Sequence, residues 1–326
     1  MIPPSKQLIV VTPVYEDLEA SAILFSELGR TFNGEVFVCA VDDGSVRFPL
    51  RGVGLTQAGV SGVVLKLRRN VGHQRAISIG MGFVETHIHE HQRVIVMDSD
   101  GEDLPETIPN LLKGLEQNDV DVVVAQRKSR VESLRFKFFY AIYKQFFRFM
   151  TGHTISFGNF MALKPSSLRR LVAMQELPIH VAGTVLASKL RTKRCPLDRG
   201  PRYAGQSKMN FVGLALHGFK GLMIFAEDVL VRVGIACVLI AAVSVLLAMV
   251  ATALKVMGFA TPGWFSVAFG ILVLMFLQTG ALALMTLLLT GVVRGGSVAS
   301  PLSNSEFIEE VLWINEGAAD LEAPQA

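Results

Sequence analysis

The sequence predicts an α/β domain on a mostly parallel sheet flanked by helices, followed by amphipathic helices and a membrane hairpin. Three observations predict it. Short apolar, β-branched runs alternate with segments of helical spacing through the first 125 residues. Two uncharged stretches follow, Val233–Leu254 with 22 residues and Val256–Val293 with 38, separated by Lys255 alone. Each can cross a hydrocarbon layer about 30 Å thick, which takes roughly 20 helical residues. The charge divides at the same place: residues 1–228 hold 28 Lys+Arg against 22 Asp+Glu, and residues 229–326 hold 3 against 6. With a mean hydropathy of +0.43, these features argue against a purely soluble protein. They argue equally against a polytopic transporter, since residues 1–228 contain no comparable stretch.

The strand candidates are Leu8–Thr12, Val36–Val41, Val63–Leu67, Val94–Met97 and Val120–Ala125. They are nearly continuous apolar runs, as burial on both faces of a parallel sheet demands. Between them Leu18–Phe32, His73–His87 and Thr107–Gln117 carry helical spacing. The sheet pattern fades after Ala125. Residues 127–148 hold seven basic side chains and one acidic one, interleaved with Phe and Tyr. That mixture suits an interfacial helix gripping anionic headgroups, or a core helix with a solvated basic face.

A second amphipathic stretch, Asn210–Asp228, leads into the first apolar run. Lys208, Lys220 and Arg232 precede that run and Arg294 follows the second, whereas the connection between them carries only Lys255. The positive-inside bias therefore places both ends of the hairpin in the cytoplasm. The start of the chain shows no signal peptide pattern, so the first domain is expected on the same side. Beyond Gly295 the chain has six acidic residues and no basic ones, and Gly317–Ala326 has a disordered composition. Cys39, Cys195 and Cys237 are dispersed, which fits neither a disulfide framework nor a zinc site. The charge of the first domain is too weak to argue for nucleic acid.

Polar residues gather just after the strands, where open α/β sheets bind ligands. In Val96-Met-Asp98-Ser-Asp100-Gly-Glu102-Asp103 an apolar strand ends in two carboxylates two residues apart. Hard oxygens suit Mg²⁺ or Mn²⁺, and Mg²⁺ usually takes one or two carboxylates plus substrate phosphates. The bland reading of the same residues is a solvated turn and helix cap. Asp42-Asp43-Gly44-Ser45 ends a second strand; its carboxylates suit nucleobase or ribose donors, or simply an Asx-capped turn. Pro13-Val-Tyr15-Glu16-Asp17 ends a third. Together these outline a nucleotide-diphosphate cleft. His87-Ile-His89-Glu90-His91 reads as a loop rather than a metal site, and Gly80-x-Gly82 as helix packing.

Pro13-x-Tyr15, Asp42-Asp43-Gly-Ser, Arg69-Asn70-x-Gly72 and Asp98-x-Asp100 stand in the order found in GT-A family 2 glycosyltransferases, which the chain resembles. Arg199-x-x-Arg202-x-x-Gly205-x-Ser207-Lys208 ahead of a two-span hairpin is similar to the polyprenyl-phosphate branch, typified by dolichyl-phosphate mannose synthase. The resemblance covers about residues 7–293.

It implies a GT-A sheet and a metal-dependent, inverting transfer of one sugar from a UDP- or GDP-linked donor to a polyprenyl phosphate. It further implies that Pro13, Tyr15, Asp17, Asp42 and Asp43 bind the donor, with Asp98 and Asp100 holding metal and diphosphate. Glu102 lies where the family often has Gln and adds a third carboxylate for the metal. Arg127, Arg202 and Lys208 receive phosphate oxygens, with Ser207 as a donor to the acceptor phosphate. The family's Gly-Asp-Phe-Arg reads Gly158-Asn159-Phe160-Met161 here. A phosphate acceptor is largely a dianion at pH 7 and needs no base, so Asn159 is expected to position substrate without abolishing activity.

The expected organisation is a cytoplasmic catalytic domain over 1–208, with interfacial helices at about 127–150. A juxtamembrane helix over 209–228, a hairpin over 229–294 and an acidic cytoplasmic tail over 295–326 complete it. Small residues in Ala281–Gly291 suit packing between helices, which leaves a homo-oligomer open. Two other readings stay open: a hydroxyl acceptor on a glycolipid or glycan, and a non-catalytic scaffold that binds nucleotide sugars.

Overall fold

The computed structural model describes residues 2–127, 134–154, 156–204, 211–259, 263–296 and 304–315. The chain forms two compact units. The first comprises Met1–Ile142, Thr154–Ile224 and Pro301–Ala326, and the second Tyr143–His153 and Phe225–Ser300.

The first unit begins with β1 (Leu8–Val14), α1 (Leu18–Phe32), β2 (Val36–Asp42), α2 (Val53–Gln57), β3 (Ser61–Leu67), α3 (His73–Glu85) and β4 (Arg93–Val96). α4 (Ile108–Leu115) and β5 (Val122–Arg127) follow, then α5 (Leu134–Thr151), which runs on into the second unit. β6 (Met161–Leu163), α6 (Pro165–Val172), α7 (Val181–Ala187), β7 (Thr192–Leu197) and α8 (Phe211–Ile224) come next. The second unit adds α9 (Ala226–Val256) and α10 (Trp264–Gly296), after which β8 (Ile308–Ile314) belongs again to the first.

Local signals explain the first helix. Asp17 accepts the Ala20 amide at the N-terminus, Glu19 and Arg30 complement the two ends of the helix dipole, and Asn33 closes the helix in a left-handed conformation. One apolar stripe, Leu24, Phe25 and Leu28, is fully buried.

The sheet runs β7-β5-β6-β4-β1-β2-β3-β8. β1 pairs in parallel with β2 and β4, β2 with β3, and β5 with β7; β6 and β8 are antiparallel to their neighbours. The expected mostly parallel sheet is therefore present, with two reversed strands, β6 inside it and β8 at its edge. Its two faces are buried separately. Ile9, Val11, Cys39 and Val41 pack towards Ile77 and Met81 of α3, whereas Leu8, Val10, Val38 and Ala40 join Leu24, Phe25 and Leu28 of α1. Alternate residues of one strand thus serve opposite cores. Strand order reverses at β1, with β2 on one side and β4 on the other. A crevice opens beyond the carboxyl ends of strands at such a point, here at Pro13–Asp17 and Met97–Asp103.

The C-terminal segment departs from the expected acidic tail. Ile308–Ile314 pairs with β3 from Gly62↔Ile314 to Leu67↔Ile308. Residues 317–326, expected to be disordered, lie outside the described residues.

In the second unit α9 and α10 are two helices long and apolar enough to cross a membrane, Ala226–Val256 and Trp264–Thr290. Leu246, Leu274 and Leu287 are among many apolar side chains exposed on them. The end of α5 packs on the start of α9. Phe147 and His153 meet the Phe225 ring at 6.1 and 4.6 Å, and the Arg232 guanidinium donates to the Phe149 carbonyl. Phe146 and Phe149 stay exposed beside Lys144 and Arg148.

Candidate active site

The loop after β4 is held by its own side chains. The Asp98 amide donates to Asp103 Oδ2 at 3.0 Å and the Glu102 amide to Asp100 Oδ1 at 3.1 Å. Ser99 Oγ donates to the Pro13 carbonyl at 3.0 Å, tying the loop to the end of β1. The segment after β7 closes over it: the Gly200 amide donates to the Glu102 carbonyl at 3.1 Å and the Tyr203 amide to the Asp100 carbonyl at 2.9 Å.

These backbone bonds place two arginines against the carboxylates. Arg202 Nη2 is 2.8 Å from Asp100 Oδ2, its Nε is 3.2 Å from Glu102 Oε1, and Arg199 pairs with Glu102 Oε2. Burial, then the nearby Asp98 charge, raises the Asp100 carboxyl above the usual range against the pull of Arg202 and Arg199. Burial also pulls Arg199 below the usual arginine range.

Asp98 faces the other way, with Oδ1 3.1 Å from His73 Nε2 at the start of α3. Burial lowers the imidazole, but the charge and hydrogen bond of Asp98, with Asp100 and Asp43 behind, outweigh it and leave His73 raised. Asn159 Nδ2 lies 3.1 Å from the same Nε2, and Asn159 Oδ1 accepts from Gln74 Nε2 at 3.3 Å. Gln74 Oε1 in turn accepts the Val181 amide. Asp98, Glu102, Gln126, Gly158, Asn159 and Arg199 line one cleft.

The donor-side carboxylates hold loops. Asp42 accepts the Ser45 and Leu50 amides, both at 2.9 Å, and is fully buried. Asp43 accepts the Val71 amide at 2.7 Å and the Gly72 amide at 3.0 Å; its burial raises its carboxyl. Asp17 spends an oxygen on capping α1. Glu16 takes the amides of Val46, Arg47 and Phe48, which hold its carboxyl below the usual range. Tyr15 presents a 44% exposed ring at the rim. Of the residues expected to bind the donor, Tyr15 is therefore exposed, whereas Asp42 and Asp43 are buried and hold loop amides.

Other expected residues distribute as follows. Pro13 is buried in β1 and offers its carbonyl to Ser99. Arg127 ends β5 opposite Leu197. Ser207 and Lys208 lie outside the described residues. Sequence reading missed His73 as a site residue, although a polar side chain following Gly72 at a strand-to-helix turn was the signal. Arg199 appeared only as a motif position.

Asp98 and Asp100 supply hard oxygens from one short loop, a donor type that fits a divalent cation completed by phosphate oxygens, although Asp98 meets His73 and Asp100 meets Arg202. Among the described residues no three His, Cys, Asp or Glu side chains gather as a metal cage. Glu102 is committed to Arg199 and Arg202. In the histidine-rich loop, His87 turns to the Phe83 carbonyl and His91 to the Pro4 carbonyl.

Residues 10–181 match the model of glycosyl transferase family 2. The chain belongs to this family. It is 25% identical over 231 residues to an uncharacterized glycosyltransferase of Synechocystis sp., covering 68% of this chain and 70% of that one. It is 27% identical over 221 residues to the undecaprenyl-phosphate 4-deoxy-4-formamido-L-arabinose transferase of Photorhabdus laumondii, covering 64% and 65%. Among solved structures it is similar to glucosyl-3-phosphoglycerate synthase from Mycobacterium tuberculosis bound to Mn²⁺, UDP-glucose and phosphoglyceric acid. That likeness has 14% identity and a TM-score of 0.47 over 69% of this chain and 80% of the other. In this family 2 glycosyltransferase, the mixed sheet flanked by helices bears out the expected GT-A class.

Asn159→Ala is expected to slow turnover of the family 2 enzyme about tenfold, the equivalent of one lost hydrogen bond of about 1.4 kcal/mol. Asn159→Asp should stay within about threefold of wild type, because one carboxylate oxygen still accepts from Gln74. Initial rates on a turned-over nucleotide sugar check both.

Proposed function

We propose that this chain transfers one sugar from a nucleotide sugar to a polyprenyl phosphate at the cytoplasmic membrane surface. The observation that carries the reading is the pairing of Arg199 and Arg202 with Asp100 and Glu102 beside Asp98. One loop offers anionic oxygens and the segment clamped on it offers guanidinium forks, the two kinds of group that a diphosphate-leaving, phosphate-accepting reaction needs. The hairpin supports the lipid acceptor, since it supplies two apolar helices next in sequence to that segment.

The acceptor phosphate oxygen forms a bond to the anomeric carbon as the bond from that carbon to the nucleoside diphosphate breaks, with inversion. No side chain has to remove a proton, because the phosphate is already ionised. Arg202, with Arg199, Lys208, Ser207 and Arg127, receives phosphate oxygens and holds the nucleophile in line. Tyr15 and the loops hung on Asp42 and Asp43 hold the nucleoside. A divalent cation, Mg²⁺ or Mn²⁺, held by Asp98 and Asp100 would offset the charge growing on the departing diphosphate.

The path of the chain supports a topology as well. It leaves the first unit before α9 and contributes β8 to the same sheet after α10. The basic residues flanking the two apolar runs, against Lys255 alone between them, favour both ends of the hairpin on the cytoplasmic side.

The test is incubation of the full chain in detergent with labelled UDP- and GDP-hexoses and polyprenyl phosphate. An acid-labile lipid product with release of nucleoside diphosphate is expected. Transfer to a neutral glycolipid or glycan, with none to polyprenyl phosphate, overturns the acceptor. Donor binding without any transfer or hydrolysis favours a scaffold.

A further inference from the structure

We propose that Phe307, with the strand that follows it, positions the Arg69–His73 loop for the donor nucleotide. The inference rests on the donor-binding reading of the Asp43 loop.

The Arg69–His73 loop joins β3 to α3 and is held on one side by the site. Asp43 accepts the Val71 and Gly72 amides at 2.7 and 3.0 Å. The next residue, His73, reaches Asp98 at 3.1 Å. Gly44 packs so closely on the loop that a β-carbon there would lie 2.4 Å from the Arg69 carbonyl carbon.

The C-terminal segment holds the loop's other side. Pairing of β8 with β3 shifts register between Lys66 and Leu67. It continues past the strand: the Arg68 amide donates to the Phe307 carbonyl at 2.9 Å, and Arg68 Nε to the Glu306 carbonyl at 3.1 Å. The Phe307 ring receives two guanidinium groups, Arg69 at 5.9 Å and Arg75 at 5.4 Å. Arg69 comes from the loop and Arg75 from the first turn of α3, so a single ring bridges both ends of the turn.

An aromatic face orients a guanidinium without neutralising it. A carboxylate in the same place would cancel the positive charge that a diphosphate needs. Far from the loop, the strand is anchored by Trp313, whose ring packs at 6.2 Å from Phe37, 5.7 Å from Phe83 and 5.9 Å from His87. The tail is thus fixed at one end and applies Phe307 at the other. Phe307 is a positioning residue, acting through Arg69 and the two amides that cap Asp43.

The test compares Phe307→Ala with Phe307→Tyr in the full chain in detergent, using the UDP- or GDP-hexose that the wild type turns over. Phe307→Ala should speed hydrogen exchange at the Val71 and Gly72 amides and raise donor KM about tenfold, the loss of two contacts of this kind. kcat should stay within about twofold, and Phe307→Tyr should restore both readouts. Unchanged exchange overturns the clasp. Faster exchange with unchanged KM overturns its link to the donor, as does a fall in kcat alone. A wild type inert towards every nucleotide sugar instead overturns the proposed function; it is told apart because the exchange difference survives it.

Discussion

Asp100→Ala is expected to reduce sugar transfer about a thousandfold while the protein stays folded. The carboxylate sits in the loop after β4, paired at 2.8 Å with Arg202 and close to Asp98. A divalent cation, if held by Asp98 and Asp100 as proposed, would supply several kcal/mol of charge stabilisation, and about 4 kcal/mol is a thousandfold in rate. Stability should respond in the opposite sense to activity. Burial and Asp98 raise the Asp100 carboxyl, so its ionised form is held at a cost to the fold at neutral pH. That cost is present above the folded-state pKa and vanishes below the unfolded one. Removing the group relieves it, and Arg202 keeps Glu102 at 3.2 Å. Turnover and the thermal midpoint in detergent, measured side by side, check both halves. Undiminished transfer would remove Asp100 from the chemistry.

Gly101→Ala should cost about a hundredfold in turnover, with a lower thermal midpoint. Gly101 has φ of +88°, and a β-carbon there would lie 2.6–2.8 Å from the Tyr203 ring. That ring cannot swing away freely. Its hydroxyl donates to Glu27 on α1, and its amide donates to the Asp100 carbonyl at 2.9 Å. The substituted chain meets about 1–3 kcal/mol of backbone strain and a comparable overpacking cost. It can relieve them only by parting the Asp98–Asp103 loop from the Arg199–Tyr203 segment. A misplacement near 1 Å at reacting groups costs about 10²-fold. Gly101→Ala combined with Tyr203→Ala should recover part of the loss; a double variant no better than the single one would place the damage elsewhere.

The first half of the fold was readable because its local signals agree. Leu18–Phe32 was expected as a helix and forms over those residues, since cap, dipole charges and apolar stripe coincide. β6, β7 and β8 were not readable. Met161–Leu163 is too short to carry a period. Thr192–Leu197 holds Lys, Arg and Pro at a partly exposed position beside β5. Ile308–Ile314 carries two glutamates that merge with an acidic tail, and only β3 gives it a partner.

The site divides in the same way. Acidic strand ends were legible because carboxylates after apolar runs stand out. Which of them face substrate was not, because that depends on amides brought in from distant segments, as when Val71 and Gly72 claim Asp43. His73 was hidden because its partner Asp98 is 25 residues away in sequence and adjacent only in space.

The pairing of β8 with β3 sets an order of biosynthesis. The edge strand of the catalytic sheet is translated after both apolar helices, so the ribosome has delivered the whole hairpin before that edge can be sealed. Until then β3 offers bare backbone groups to any passing strand. Sealing of that edge therefore waits on synthesis of both apolar helices, and a fragment cut ahead of them starts life with an unprotected, aggregation-prone border.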